Sequence, residues 1–127
     1  MSLDISPVVL PGRNIIESYG NGKFHIGETQ FYQSLLVSPD KVIPWSPGDI
    51  HNLTLEDFEE VLKFKPSIEI LLLGCGKIVH YLSSNIRQEL NKKGIVLEVM
   101  DTGAACRTFN VLLGEDRRIA VALYLVD

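Results

Sequence analysis

The second half of the chain alternates between apolar runs and amphipathic stretches. Residues 68–73 are almost continuously apolar and run into a Gly-Cys-Gly sequence, which is typical of a strand buried on both faces. Residues 95–100 and 119–126 are predicted to be further strands. Hydrophobic residues at helical spacing between them predict helices over about 83–93 and 101–113. Because strands alternate with helices, we expect right-handed crossovers and a mixed or parallel sheet covered by helices.

A third helix is predicted immediately before this region. Thr54 can cap its amino end, and apolar residues follow at helical spacing as far as about Lys63. Pro66 then prevents the helix from continuing.

The first half of the chain has the short alternating runs of an antiparallel sheet. The tripeptide Gly20-Asn21-Gly22 separates strands predicted at 14–19 and 24–26, because Asn-Gly accepts the positive φ angles of a tight hairpin turn. Two more short strands are predicted at 31–37 and 41–45.

These patterns predict one α/β domain that covers residues 1–127, a length usual for a single domain. The proline-rich residues 1–12 are expected to form an extended arm. Residues 13–51 are expected to form mainly antiparallel strands, and residues 52–127 to alternate between helix and strand.

Composition excludes several classes of function. The formal net charge is −4, and the basic residues occur singly or in pairs such as Lys92-Lys93 and Arg117-Arg118, which are expected to be solvated. We therefore expect no binding to nucleic acid. The apolar runs are far shorter than the ~20 residues that cross a bilayer, so no membrane insertion is expected. The first residues do not resemble a signal or transit peptide, which favours a cytoplasmic location.

The best candidate for a ligand site lies where two predicted strands end. In open α/β sheets, ligands bind beyond the carboxyl ends of parallel strands, and the loops 74–77 and 101–108 occupy that position. The residues predicted to bind an anionic ligand there are Gly74, Gly76, Lys77, Asp101, Thr102, Arg107 and Thr108. The alternative is an ordinary capped helix whose small residues pack under the neighbouring strand, with Arg107 paired to Glu98 or Asp101.

Other kinds of site find less support. Gly74 and Gly76 begin a dinucleotide-binding fingerprint, but its third glycine is missing, so no cofactor is predicted. The three histidines lie in separate segments, and no metal is predicted. Cys75 and Cys106 are expected to be buried structural thiols in a reducing compartment, although a redox pair remains an alternative. No nucleophile with its base can be assembled, so the chain is not predicted to be an enzyme.

Several sequence motifs resemble one family in order. They are Ser18-Tyr19-Gly20-Asn21-Gly22-Lys23-Phe24, Trp45, Leu53-Thr54-Leu55-Glu56-Asp57-Phe58 and above all the run from Glu98 to Leu112. The chain resembles the uncharacterised domain of mitochondrial complex I assembly factor 3 and of the adipogenesis-associated domain protein, over about residues 13–125. The resemblance implies a three-layer fold, with a mixed central sheet, helices on one face and extra strands on the other.

The resemblance also implies a function based on protein binding, since no catalytic activity is established for that family. The first hypothesis is therefore an interaction or assembly protein whose unknown protein partners bind an exposed apolar patch. Tyr19, Phe24 and Trp45 are the candidate residues for that patch, although an aromatic residue beside a hairpin often covers a core instead. The second hypothesis is a small-ligand site or enzyme at the two loops. Self-association is left open.

Overall fold

The computed structural model describes residues 3–4 and 13–127, so most of the predicted N-terminal arm lies outside the described residues. The strands are β1 Leu3–Asp4, β2 Ile16–Gly20, β3 Lys23–Ile26, β4 Thr29–Phe31, β5 Leu35–Val37, β6 Val42–Pro44, β7 Ile70–Gly74, β8 Val96–Met100 and β9 Ile119–Leu123. The helices are α1 Glu59–Leu62, α2 Ser84–Lys92 and α3 Thr102–Gly114, with 3-10 turns at Ile50–Asn52 and Leu55–Phe58.

The strands form two sheets. One is antiparallel, with the order β1-β2-β3-β4, and the other is mixed, with the order β6-β5-β9-β7-β8. The predicted hairpin joins β2 to β3, and Asn21 and Gly22 have φ angles of 54° and 70°, as a tight turn of this kind requires.

The strands on either side of α2 lie next to each other and point the same way. β7 pairs in parallel with β8 on one side and with β9 on the other. The chain thus moves one way across the sheet from β7 to β8, and then back past β7 to reach β9. Right-handed crossovers in opposite directions place their helices on opposite faces of the sheet.

The two hydrophobic cores show this arrangement directly. Leu71 and Leu73 pack with α1 and α2 on one face, whereas Leu72 and Val121 pack with α3 and the antiparallel sheet on the other. The mixed central sheet and the additional antiparallel layer confirm the predicted fold class. The helices differ from the expectation in one respect, because α3 lies on the face that the antiparallel sheet also covers, and not with the other helices.

Two local predictions also need correction. Of the segments 31–37 and 41–45, only Phe31 belongs to the antiparallel layer, as the last residue of β4. The remainder forms β5 and β6, which join the central sheet through antiparallel pairing of β5 with β9. The helix predicted over 54–63 begins as a 3-10 turn, and only Glu59–Leu62 is α-helical. The sheet to which β5 and β6 belong is decided by the pairing of β5 with β9, which is distant in sequence. Hydrophobic periodicity within a short segment carries no information about such a pairing.

Candidate functional site

The predicted ligand loops do meet at one edge of the central sheet. The chain leaves β7 toward α2 on one face, and it leaves the neighbouring β8 toward α3 on the opposite face. Such a reversal opens a crevice at the carboxyl ends of the two strands, the usual place for a ligand in an open α/β sheet. The two loops therefore lie side by side, as the parallel pairing of β7 with β8 requires.

Hydrogen bonds between the loops close most of this crevice. The Thr102 hydroxyl accepts a hydrogen bond from the Gly76 amide and donates one to the Tyr124 carbonyl, both at 2.9 Å. The Thr102 amide donates to the Gly76 carbonyl at 2.8 Å. Because Thr102 is completely buried, its hydroxyl ties together the chain after β7, β8 and β9 and is not available to a ligand.

The amino end of α3 is also internally satisfied. The Asp101 carboxylate caps it by accepting a hydrogen bond from the Ala104 amide at 2.8 Å, and the Ala105 amide donates to the Asp101 carbonyl. Gly74 lets the helix approach the strand, since a Cβ atom on Gly74 would lie 2.9 Å from the Thr102 Cα atom. These contacts fit the alternative prediction of a capped helix that packs closely on the sheet.

A cavity of about 340 Å³ remains beside the crossing loops. Gly76, Lys77, Asp101 and Gly103 line it together with Tyr19 from the antiparallel sheet. The Tyr19 ring lies directly on the helix start, because a Cβ atom on Gly103 would come within 2.1 Å of the Tyr19 hydroxyl oxygen. Asp127 adds a second carboxylate to the lining, so the charges around Lys77 do not favour an anion.

Arg107 and Thr108 lie outside this cavity. Arg107 is exposed on α3, and within residues 13–127 it forms no ion pair, so the predicted pairing with Glu98 or Asp101 does not occur. Thr108 lines a separate groove between α3 and β8. The structure therefore brings together five of the predicted residues: Gly74, Gly76, Lys77, Asp101 and Thr102. Arg107 and Thr108, whose guanidinium and hydroxyl were expected to bind the anion, lie away from them.

Both thiols are buried, and burial raises the pKa of each. Desolvation raises the pKa of Cys106, which is completely buried, far above its ordinary value. Desolvation also raises the pKa of Cys75, where the hydrogen bond from the His80 amide lowers it and the Asp101 carboxylate raises it further. Thiolates are the reactive form, so neither cysteine is activated as a redox centre would require. Both are free.

The three aromatic residues predicted to bind a partner belong to the core. Phe24 is completely buried, and Trp45 and Tyr19 are only 6% and 9% exposed. The Trp45 indole N–H donates to the Asp57 carbonyl at 2.6 Å, and its ring packs against that of Phe58. This arrangement corrects the prediction of surface anchors, since each ring covers apolar residues beneath it and leaves little area for another protein.

Sequence patterns did not predict an exposed apolar segment between β7 and α2, residues 77–82, which we call the apolar loop. Ile78, Val79 and Tyr81 are 65%, 54% and 97% exposed. His80 anchors the loop between them: its amide donates to the Cys75 sulfur, and its ring packs edge-on against His51 at 5.2 Å. The sequence does contain a signal for this exposed segment, because its apolar residues lie outside any predicted strand or helix.

No helix within residues 3–4 and 13–127 is long and apolar enough to span a bilayer. In the same ranges, no three histidine, cysteine or acidic side chains come together as ligands for a metal ion.

Relatives with curated descriptions share the sequence over most of this chain. The chain is 35% identical over 109 residues to NADH dehydrogenase [ubiquinone] 1 alpha subcomplex assembly factor 3 of Danio rerio, covering 86% of this chain and 63% of that protein. Its counterpart in Xenopus tropicalis is 36% identical, with 85% and 59% covered. The chain thus spans about 60% of the length of these relatives. An uncharacterised protein of Rhodobacter capsulatus is 32% identical, with 85% and 82% covered.

Solved structures share the fold. A crystal structure described as an outer membrane protein from Bartonella henselae has a TM-score of 0.81 and 38% identity, covering 94% of this chain and all of that one. A protein from Bordetella parapertussis has a TM-score of 0.78 and 30% identity, with 92% and 99% covered. The model of the family "Protein of unknown function (DUF498/DUF598)" matches residues 16–124. The chain belongs to this DUF498/DUF598 family, which confirms the resemblance noted in its sequence motifs.

Proposed function

We propose that this protein acts by binding other proteins, as an assembly factor of the kind that its curated relatives are named for. The observation that carries the proposal is the apolar loop. Of the six large apolar side chains that are exposed within residues 13–127, three lie in this one segment of the chain. Exposed apolar side chains clustered on a loop are typical of protein-binding sites.

The loop is suited to this role because its middle residue is attached to neighbouring parts of the chain. His80 is held by Cys75 and His51, while the residues on either side of it project into solvent. An anchored loop loses less conformational entropy on binding than a free one, so more of the apolar contact contributes to affinity. The relatives' names supply the partner class: subunits of an NADH dehydrogenase complex during its assembly.

The test compares the wild-type chain with a loop variant, Ile78→Ser with Val79→Ser and Tyr81→Ser. A strain of Rhodobacter capsulatus that lacks its relative would be complemented with each, and assembled NADH dehydrogenase would be measured on native gels. The control variant carries Tyr32→Ser and Val111→Ser, which remove two exposed apolar side chains elsewhere. We expect wild type and control to restore assembly and the loop variant to fail while it remains folded. Equal restoration by all three would refute the role of the loop.

The same proposal places the protein in the cytoplasm. Support comes from the two free, buried thiols, which fit a reducing compartment better than an oxidising one. Cell fractionation of an epitope-tagged chain tests this. Recovery in the outer-membrane fraction, the location stated in the description of the Bartonella henselae relative, would contradict it.

Small-ligand binding at the crevice is the second candidate function. The position of the cavity at the reversal point between β7 and β8 supports it. Lys77 lines the cavity, is exposed, and takes no part in the hydrogen bonds that close the crevice. A ligand of this cavity would stabilise the wild-type chain against heat, and Lys77→Met would reduce that stabilisation. If a screen of metabolites yields no such ligand, this second function should be abandoned.

A further inference from the structure

A second cavity lies at the opposite end of the central sheet, near the amino ends of β7 and β9. Its volume is about 360 Å³, which is within the range of small-molecule sites. It is built where four distant parts of the chain meet: Arg13, residues 38–41, residues 64–68 and residues 116–119. We refer to it as the basic cavity. Neither the family description nor the predicted sites include it.

The inner wall of the basic cavity is apolar and preformed. Phe64, Ile68 and Ile119 line it, and each is less than 10% exposed because it also packs in the hydrophobic cores. Pro39 and Pro66 add two stiff side chains. A wall of this kind offers contact to the apolar part of a ligand without much ordering of side chains.

The polar part of the lining is mainly cationic. Five basic side chains line the cavity, against two carboxylates: Arg13, Lys41, Lys65, Arg117 and Arg118 against Asp40 and Asp116. The Glu69 carboxylate behind them accepts from both Arg117, at 2.9 Å, and Arg118, at 3.5 Å. This local excess of positive charge stands out in a chain whose net charge is −4.

One buried donor in this cluster lacks an acceptor. The chain at Arg13 is fixed, since the Asn14 amide donates to the Pro39 carbonyl at 2.9 Å and the Asn14 side chain to the Ser38 carbonyl at 3.0 Å. A terminal nitrogen of Arg13 then binds Asp116 at 3.0 Å. The Arg13 Nε atom is buried, and no described residue accepts its hydrogen bond. An unpaired buried donor costs free energy, and an anionic oxygen would satisfy it.

We propose that the basic cavity binds a small organic anion, a carboxylate or a phosphate monoester, that carries an apolar group. The anionic oxygens accept from the basic side chains of the rim, and the Arg13 side chain, which is 33% exposed, turns its unpaired Nε–H toward them. The apolar group lies against Phe64 and Ile68. The inference is independent of the protein-binding proposal, because the apolar loop follows the opposite end of β7.

Four probes test the class of ligand on the full chain labelled with ¹⁵N, at constant ionic strength: phthalate, phenyl phosphate, inorganic phosphate and neutral benzamide. We expect phthalate, phenyl phosphate or both to shift the Arg13 Nε–H signal and the backbone amides around the cavity that carry a hydrogen, those of Asp40, Lys41, Lys65, Ser67 and Ile68. Inorganic phosphate should bind more weakly, because it lacks the apolar group, and benzamide should produce no shift. The stronger of the two organic anions then identifies the carboxylate or the phosphate ester as the ligand class.

Matched variants test the residues. Arg13→Met removes the unpaired donor, and we expect about tenfold weaker binding of the better probe. Arg107→Met makes the same change on the exposed face of α3 and should leave the affinity unchanged. If Arg13→Met is unfolded, Lys65→Met replaces it, with an expected loss of about threefold, since Lys65 is exposed.

Three results would overturn the proposal. The first is the absence of shifts with either organic anion. The second is a set of shifts centred on Gly76 and Gly103, which would indicate the crevice instead. The third is an equal effect of the cavity variant and Arg107→Met, which would show that the probes respond to overall charge and not to a built site.

Discussion

Replacement of Thr102 by valine tests the closure of the crevice most sharply. Valine has nearly the shape of threonine, so the change keeps the packing under α3 and removes the hydroxyl. That hydroxyl makes two hydrogen bonds of 2.9 Å, one from the Gly76 amide and one to the Tyr124 carbonyl, and the residue is completely buried. Both partners lose their hydrogen bond in the variant.

The magnitude follows from the two lost bonds. Each hydrogen bond contributes about 1 kcal/mol, and an amide or carbonyl left without a partner costs more, roughly 1–3 kcal/mol when buried. Gly76 and Tyr124 are half-buried, so water can partly replace the hydroxyl. We therefore expect Thr102→Val to lower the free energy of unfolding by about 2 kcal/mol, which corresponds to a Tm lower by about 7 °C for a chain of this length.

Urea denaturation followed by circular dichroism measures this loss, and an unchanged m-value shows that the folded and unfolded states remain comparable. Amide hydrogen exchange at Gly76 supplies a local measurement, because this amide should exchange faster in Thr102→Val. The control is Thr102→Ser, which keeps the hydroxyl and removes one methyl group, at a cost of about 1 kcal/mol. A loss below 0.5 kcal/mol in Thr102→Val, taken as about the limit for an ordinary surface change, or unchanged exchange at Gly76, would refute the reasoning.

Three other predictions follow from single contacts. Gly103→Ala should destabilise the chain by about 2 kcal/mol in the same urea titration, because the new Cβ atom would lie 2.1 Å from the Tyr19 hydroxyl oxygen. The control Gly114→Ala should be neutral or stabilising, since its Cβ atom would meet nothing within 4 Å. Burial raises the pKa of Tyr124 to about 12, helped by the Asp57 carboxylate. The unfolded chain therefore loses this proton first, and stability should fall between about pH 10 and 12 in wild type but less in Tyr124→Phe. Cys106 should resist a thiol reagent at pH 8 until urea unfolds the chain.

The structure separates two ends of the central sheet with different chemistry. The carboxyl ends of β7 and β8 carry the apolar loop and a crevice closed by Thr102. The amino ends of β7 and β9 carry the basic cavity, which Glu69 crosslinks through Arg117 and Arg118. The hydrogen bond from Arg117 and the two arginine charges lower the pKa of Glu69, so that its carboxylate stays ionised in this cluster. Variants at one end can therefore be tested without disturbing the other.

Local sequence alone determined the elements of the second half. The apolar run before Gly74 forms a buried strand, and the residues around Thr102 begin a capped helix, because hydrophobic periodicity and capping act over a few neighbouring residues. The parallel pairing of β7 with β8 also follows from the sequence. Two consecutive strands joined by a helix usually lie parallel in one sheet, and the connection between them is right-handed.

Only the tertiary structure decided which surfaces are exposed and which residues meet. Trp45 is suited both to a partner surface and to a core, and the packing of Phe58 and Tyr124 around it settles the choice. The basic cavity joins Arg13 to residues more than 100 positions away, such as Asp116. Contacts at that separation depend on how the two sheets pack, and no local pattern of the chain encodes them.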